Sequence, residues 1–444
     1  MIDARDKIRI AIDISVTPGV AGGIAQSTQG LVSSLGQLNG PEKYVLVANR
    51  REQADWISQY CGPSQKIVVM PRVTSRNGTT NYRPDPYGIR RVLRPAANAL
   101  RHTVERFSPQ SQLPTVTVSD GSYEGLGCDV LHFPTQTFVL CALPTIFNPH
   151  DLQHLHYPQF FRPRELLERE TSYRAACQFS NTVIVGSEWI KQDIVRQYGV
   201  NPEKVQIIPW APPTAQYAPI TPAQVEDARG KLGLPAAYAL YPAVSWPHKN
   251  HLRLFEALAQ LRDTRGLVVN LICTGAPDQA FWPKIEQRIK DLNLASQVRF
   301  LGFLSEADLR VVYRLAQFLI FPSLFEADSC PIHEAWSEGI PVASSNLTGL
   351  PDQIGEAGLL FDATDVSAVA DAIQTMATDG DLRLQLVERG HRRVKDFDWV
   401  RTAKAYRAVY RRAAGIRLDE EDRWLLQWDW MRQPNQTQPV TETQ

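Results

Sequence analysis

Residues 318–341 read FLIFPSLFEADSCPIHEAWSEGIP, and the order of residue types along them predicts a fold. The apolar run Phe318-Leu319-Ile320-Phe321 reads as a buried strand. Pro331 suits the first turn of a helix, where its missing N–H has no intrahelical partner to lose. Ser329 or Cys330 then lies near the cap, and Ile332-His333-Glu334-Ala335-Trp336 continues the helix. Glu326 falls in the intervening loop and Glu334 eight residues further on. Two carboxylates thus flank the free N–H groups of a helix start, which attract phosphate, while the acids can accept hydrogen bonds from sugar hydroxyls. That pairing suits a nucleotide-sugar. The same residues also read as an ordinary strand–loop–helix, with acids placed where the helix dipole favours them.

Outward from this segment, strands and helices alternate. Strands are expected at Tyr238–Tyr241, Leu267–Ile272, Val298–Leu301 and Pro341–Ala343, with helices near 252–261, 280–292 and 306–316. An earlier series runs through Lys7–Ile14, a helix over 24–38, then 44–48, 67–70, 130–133, 144–148, a helix near 164–179, 182–185 and 205–208. Alternation at this pace argues for parallel sheets with crossover helices. The Pro/Ala-rich stretch from Pro209 to Pro222 marks a linker. The fold class is therefore α/β, with two doubly wound Rossmann-like domains facing across a cleft. The expected bounds are 1–212, 213–398, a helix over 399–415 and a partly disordered tail over 416–444. Within that tail, Glu420–Met431 with Trp424, Trp428 and Trp430 could pack as a short amphipathic helix. Residues 72–125 break the rhythm and are arginine-rich, as expected of an insertion or basic loop.

Composition narrows the class further. Across 444 residues, 43% are apolar and 21% charged, with a formal net charge of zero, so nothing points to nucleic acid. No apolar run approaches the roughly 18 residues needed to span a bilayer. The start of the chain passes straight into a strand pattern without a signal-peptide core, and the six scattered cysteines form no CxxC pair. Buried free thiols in a reducing cytosol follow as the expectation.

Loops that follow strands are where ligands sit in such sheets. Gly22-Gly23 allow close backbone approach ahead of a helix, although a ligand-free turn reads equally well. His150, in the run Asn148-Pro149-His150-Asp151, is placed to hydrogen-bond a substrate hydroxyl or to serve structurally. His154 and His156 lie close by, but no carboxylate or thiol completes a metal-ligand spacing. Lys249, in Trp246-Pro247-His248-Lys249-Asn250, supplies a point charge for a diphosphate.

Taken together, WPHKN at 246–250, the E-x7-E of Glu326 and Glu334, and the following GIPVASSNLTGLPDQIGEAGLLFDATD at 339–365 resemble the retaining glycosyltransferases of family 4, with the GT-B fold. The resemblance is strongest over 238–400. It implies that Glu326 contacts hydroxyls of the donor sugar and Glu334 the ribose, with Lys249 neutralising the leaving diphosphate near Gly22 and Gly23. It also implies that His150 lies beside the transferring sugar, that Ser345 and Asn346 support the diphosphate, and that His248, Asn250, Asp328 and Ser329 join the substrate-binding set. The helix over 399–414 resembles one that crosses back onto the first domain. Two departures stand out. Val244 occupies the place of an arginine, for which His248 or Arg253 would have to compensate. Ala327-Asp328-Ser329 follows the first acid where relatives read Gly-Phe-Gly.

The expected reaction is metal-independent transfer of a hexosyl unit, with retention, from a nucleoside-diphosphate sugar to an acceptor hydroxyl in surface polysaccharide or glycolipid synthesis. No cofactor is expected beyond this co-substrate. Asp396-Phe397-Asp398 has metal-motif spacing but lies just before the last long helix. A catalytically silent sugar-nucleotide-binding homologue and a sugar-nucleotide epimerase are the alternative readings. The acceptor is expected to be a saccharide or lipid-linked. A cytoplasmic protein is the expectation; residues 72–106 read either as a basic, aromatic-bearing face for an anionic membrane surface, which would add a peripheral place at the inner face of the membrane, or equally as a solvated loop.

Overall fold

The computed structural model describes residues 8–16, 23–70, 114–212, 217 and 219–431. Gly22, the basic segment 72–106 and the last residues, 432–444, lie outside the described residues.

Two parallel sheets organise the chain. The first holds seven strands: β1 (Arg9–Asp13), β2 (Lys43–Ala48), β3 (Gln65–Val69), β4 (Val130–Phe133), β5 (Thr145–Phe147), β6 (Thr182–Val185) and β7 (Val205–Ile207). Their order is β3-β2-β1-β4-β5-β6-β7. The second holds β8 (Ala239–Pro242), β9 (Leu271–Thr274), β10 (Val298–Phe300), β11 (Phe318–Phe321), β12 (Val342–Ser345) and β13 (Leu359–Phe361), ordered β10-β9-β8-β11-β12-β13. The inner strands are continuous apolar runs because helices cover both faces. Each sheet reverses its strand order once, between β1 and β4 and between β8 and β11, and crevices at such points accept ligands.

Two strands differ from expectation: β13 is not among the expected strands, and β9 starts late. Leu267–Ile272 looks like a strand from its β-branched composition, yet β9 begins at Leu271. Gly266 ends the preceding helix in the left-handed region, the Leu267 N–H bonds back to Leu261 O, and Val268 is 60% exposed. Residues 267–270 are consumed by the turn, and pairing starts where Leu271 meets Ala239.

The carboxyl ends of the two sheets meet. Trp189 N–H donates to Asp352 at 2.9 Å, and the Tyr157 hydroxyl reaches Leu324 O. The Trp399–Ala413 helix, capped by Asp398, packs on the Gly23–Gln37 helix so closely that a Cβ on Gly30 would lie 2.2 Å from the Trp399 ring. Its tyrosines reach the first sheet: Tyr410 OH bonds His132 at 2.8 Å, and Tyr406 OH accepts from the Asn148 amide at 2.7 Å. The Glu420–Gln427 helix then docks through Arg411, which pairs with Glu42, Asp419 and Asp422, and Trp428 and Trp430 are buried. No helix among the described residues is long and apolar enough to cross a membrane. The cysteines are free thiols.

Candidate functional site

At the crevice of the second sheet, β8 runs into a single turn, Pro247–Lys249, and β11 into the loop that carries Glu326. Lys249 Nζ and Glu326 Oε1 form an ion pair with only 15% and 12% of the side chains exposed. Ser323 Oγ donates to the same Glu326 oxygen at 2.6 Å, and Lys249 Nζ lies 5.6 Å from the centre of the Phe321 ring. The turn after β12 holds the acid's backbone. Thr348 Oγ1 donates to Glu326 O and accepts from its N–H, while Gly349 N–H donates to Glu326 O. A Cβ on Gly349 would approach Ala327 O to 2.4 Å, so this crossing requires glycine.

Across the cleft, His150 follows β5 with φ 66°. Its Nε2 lies 2.9 Å from Pro134 O, and a carbonyl only accepts, so Nε2 carries the proton. Burial depresses the ring to about 4, leaving it neutral at pH 7 with Nδ1 as a hydrogen-bond acceptor. Asp151, the next residue, sits in the field of Arg169, Glu326 and Lys249, and burial raises its carboxyl. His154 pairs with Glu170 and His156 with Asp193, so these histidines diverge, and the described residues contain no group of side chains able to hold a metal ion.

Glu334 lies buried in the Cys330–Ser337 helix. Tyr313 OH donates to Oε2 at 2.7 Å, Tyr217 OH to Oε1 at 3.3 Å, and Gln26 adds a further bond from the first half. None of these three partners is signalled by the local sequence around Glu334, since they come from three distant segments. Gly23 starts the facing helix, and a Cβ there would lie 3.7 Å from Cys330 Sγ, so two helix N-termini confront each other. Burial pushes the Glu334 carboxyl up to about 7 from its ordinary 4.5. Because the folded value is the higher one, the carboxyl stabilises the fold fully below pH 4.5 and loses that contribution as pH rises through 7. A change of this size corresponds to roughly 3 kcal/mol. Glu334→Gln should therefore melt higher than wild type at pH 8 and lose that advantage at pH 4; an unchanged difference between the two pH values would contradict the assignment.

Other expected site residues take different roles. Asn250 is buried at φ 62°, and its amide donates to Pro322 O at 3.0 Å and Ala363 O at 2.9 Å, so it ties loops together and has no donor left for a ligand. Asn250→Gly keeps the backbone geometry and removes both bonds; a loss of about 2–3 kcal/mol in denaturant unfolding is expected. His248 is buried beside Trp246, and desolvation drives its proton affinity far down, which favours a neutral ring there. Arg253 is held through Nη1 by Asn250 Oδ1 and Ala363 O. Ser345 is buried, its Oγ accepting from Leu347 N–H, while Asn346 is exposed. Ser329 is buried with N–H and C=O bonded to Gln353. Asp328 is engaged by backbone N–H groups: Oδ2 accepts from Trp210 N–H at 3.2 Å and Oδ1 from Ser329 N–H at 2.8 Å, and burial raises it to about 7. The Asp-x-Asp of 396–398 is likewise spent, Asp396 on Arg393 and Asp398 as a helix cap.

A further cavity of about 390 Å³ opens at the carboxyl ends of β1 and β2, with Asp13, Tyr123, Gln136, Thr137 and Arg169 among its lining residues.

Comparisons with known proteins agree with this geometry. Residues 225–393 match the family model of glycosyl transferases group 1, and residues 78–213 match that of glycosyltransferase family 4. The O-antigen chain mannosyltransferase B of Escherichia coli is 27% identical over 268 residues, 59% of this chain and 69% of the relative. A D-inositol 3-phosphate glycosyltransferase of Corynebacterium efficiens is 28% identical over 349 residues, 69% and 82% of the two chains. Among solved structures, Anabaena Alr3699/HepE in complex with UDP and glucose superposes with a TM-score of 0.64 at 17% identity, covering 90% and 99%, a likeness of fold.

Proposed function

The chain belongs to the group 1, family 4 glycosyltransferases, of GT-B fold, and we propose that it moves a hexosyl unit from a nucleoside-diphosphate sugar to an acceptor hydroxyl with retention and without a metal. The observation that carries this reading is the buried Lys249–Glu326 pair, whose charges act on Asp151 of the first half, the residue after His150. The demand of the reaction is to stabilise charge growing on the departing diphosphate. Lys249 and the facing helix starts at Gly23 and Cys330 supply it in a water-poor site. Glu326, turned from Lys249 by the incoming diphosphate, accepts from sugar hydroxyls, and His150 Nδ1 accepts from another. Ribose hydroxyls take the places of Tyr217 and Gln26 on Glu334.

Retention follows if departure and attack share one face. With donor bound, Glu326 is engaged with Ser323 and the sugar hydroxyls, so it is not a free nucleophile of the glycosidase kind. The acceptor saccharide enters through the cavity beside Arg169, and Asp151 receives its reacting hydroxyl. Its hydroxyl- and amide-lined wall suits the sugar end of a surface polysaccharide or glycolipid. The test is nucleoside diphosphate release from UDP-, GDP- and ADP-hexoses with saccharide acceptors and chelator present, followed by NMR of the product. Transfer with the donor's anomeric configuration is expected; inversion, or conversion of donor without acceptor, would overturn the reading.

A further inference from the structure

We infer that Trp210 is a positioning residue, which sets the His150 imidazole and couples it to the second half of the molecule through Asp328. The inference rests on the proposed place of His150 beside the transferring sugar. Trp210 follows β7 in the crossing between the two sheets, within a Pro/Ala-rich stretch that composition marks only as a linker. Three parts of this one residue are engaged. Its ring meets the His150 ring edge to face, with centroids 5.0 Å apart and planes at 85°. Its indole N–H bonds the Tyr406 hydroxyl, which also holds Asn148, two residues before His150. Its backbone N–H donates to Asp328 Oδ2 at 3.2 Å.

The His150 ring is therefore fixed from two sides, by the Pro134 carbonyl on Nε2 and by the indole. At φ 66° its backbone sits in a region that few side chains adopt, so the ring needs such outside support. Asp328 supplies the link across the cleft. It reaches from the Glu326 loop to the first half, where a Cβ on Gly186 would lie 3.2 Å from its own Cβ. Only Ala327 separates it from Glu326. Approach of the second half thus sets the Glu326 carboxylate and, through Trp210, the opposing imidazole together. The unusual Ala327-Asp328-Ser329 sequence gains a reason: an acid is needed there to take the Trp210 N–H.

The experiment is a set of double-mutant cycles read with the nucleoside-diphosphate hexose that the wild type turns over. Trp210→Ala, Trp210→Phe and Asp328→Ala are measured alone and combined with His150→Ala. A misplaced catalytic group loses up to about 10²-fold, so Trp210→Ala should lower kcat by roughly 30- to 100-fold with donor KM within about 3-fold. Trp210→Phe keeps a ring against His150 and should stay within about 5-fold of wild type. In the His150→Ala background these losses should vanish, because the residue they act through is gone. Should Trp210→Ala not fold, Trp210→Leu makes the same comparison, and Asp328→Ala makes it without touching the indole. Additive losses in an active protein, a change confined to KM, or a Phe variant no better than Ala would overturn the inference alone. A wild type that releases no nucleoside diphosphate from any of the three donor classes would overturn the proposed function with it.

Discussion

Lys249→Ala is expected to lower kcat by about 10³-fold, the largest effect of any single change in the molecule. Removing one preorganised donor from a site of developing negative charge typically costs about 10²–10³ in kcat. Lys249 combines that role with a full charge in a largely enclosed pocket, where only 15% of its side chain meets solvent. It also leaves Glu326 buried beside Ser323 without its cation, a penalty of about 3–5 kcal/mol for a broken buried pair. Lys249→Arg restores the charge with a planar fork in place of a compact ammonium, and should recover only part of the rate. Activity assays with saturating donor check the first effect and urea unfolding the second. Wild-type kcat in a folded Lys249→Ala protein would remove Lys249 from the chemistry.

Glu326→Ala should lower kcat/KM by about 10²–10³-fold, since a site built to bond hydroxyls loses heavily when a polar partner is missing. The double variant lacking both charges offers a sharper diagnosis. Stability lost by either single variant includes the cost of stranding the other charge, so the double variant should be more stable than the sum of the two losses implies. Ser323 and the Thr348–Gly349 turn remain in place to hold the loop. Additive stability losses would mean that the ion pair is absent in solution.

Much of this site was legible before the fold. Phe318–Phe321 became β11, Pro331 entered the first turn of its helix, and Lys249 and Glu326, 77 residues apart, are paired. Such features are local: an apolar run, a proline and a spacing that follows from strand–loop–helix geometry. What escaped was assembled from distant segments. Glu334 gathers Gln26, Tyr217 and Tyr313, and Trp210 touches His150, Tyr406 and Asp328, contacts that no periodicity encodes. Asn250 illustrates the opposite error. Its neighbour Lys249 faces the site, but one residue further the chain turns through φ 62° and its amide is spent on two carbonyls. The misplaced start of β9 has the same origin, because Val268 and Val269 carry strand composition while the turn at Gly266 decides where pairing begins.

The most direct measurement is a crystal structure of the protein with the UDP-, GDP- or ADP-hexose that most raises its melting temperature. The account predicts the diphosphate against Lys249 Nζ, between the helix starts at Gly23 and Cys330, with Glu326 on the sugar hydroxyls and Glu334 on the ribose. A diphosphate bound away from Lys249, with the Lys249–Glu326 pair left intact, would contradict it.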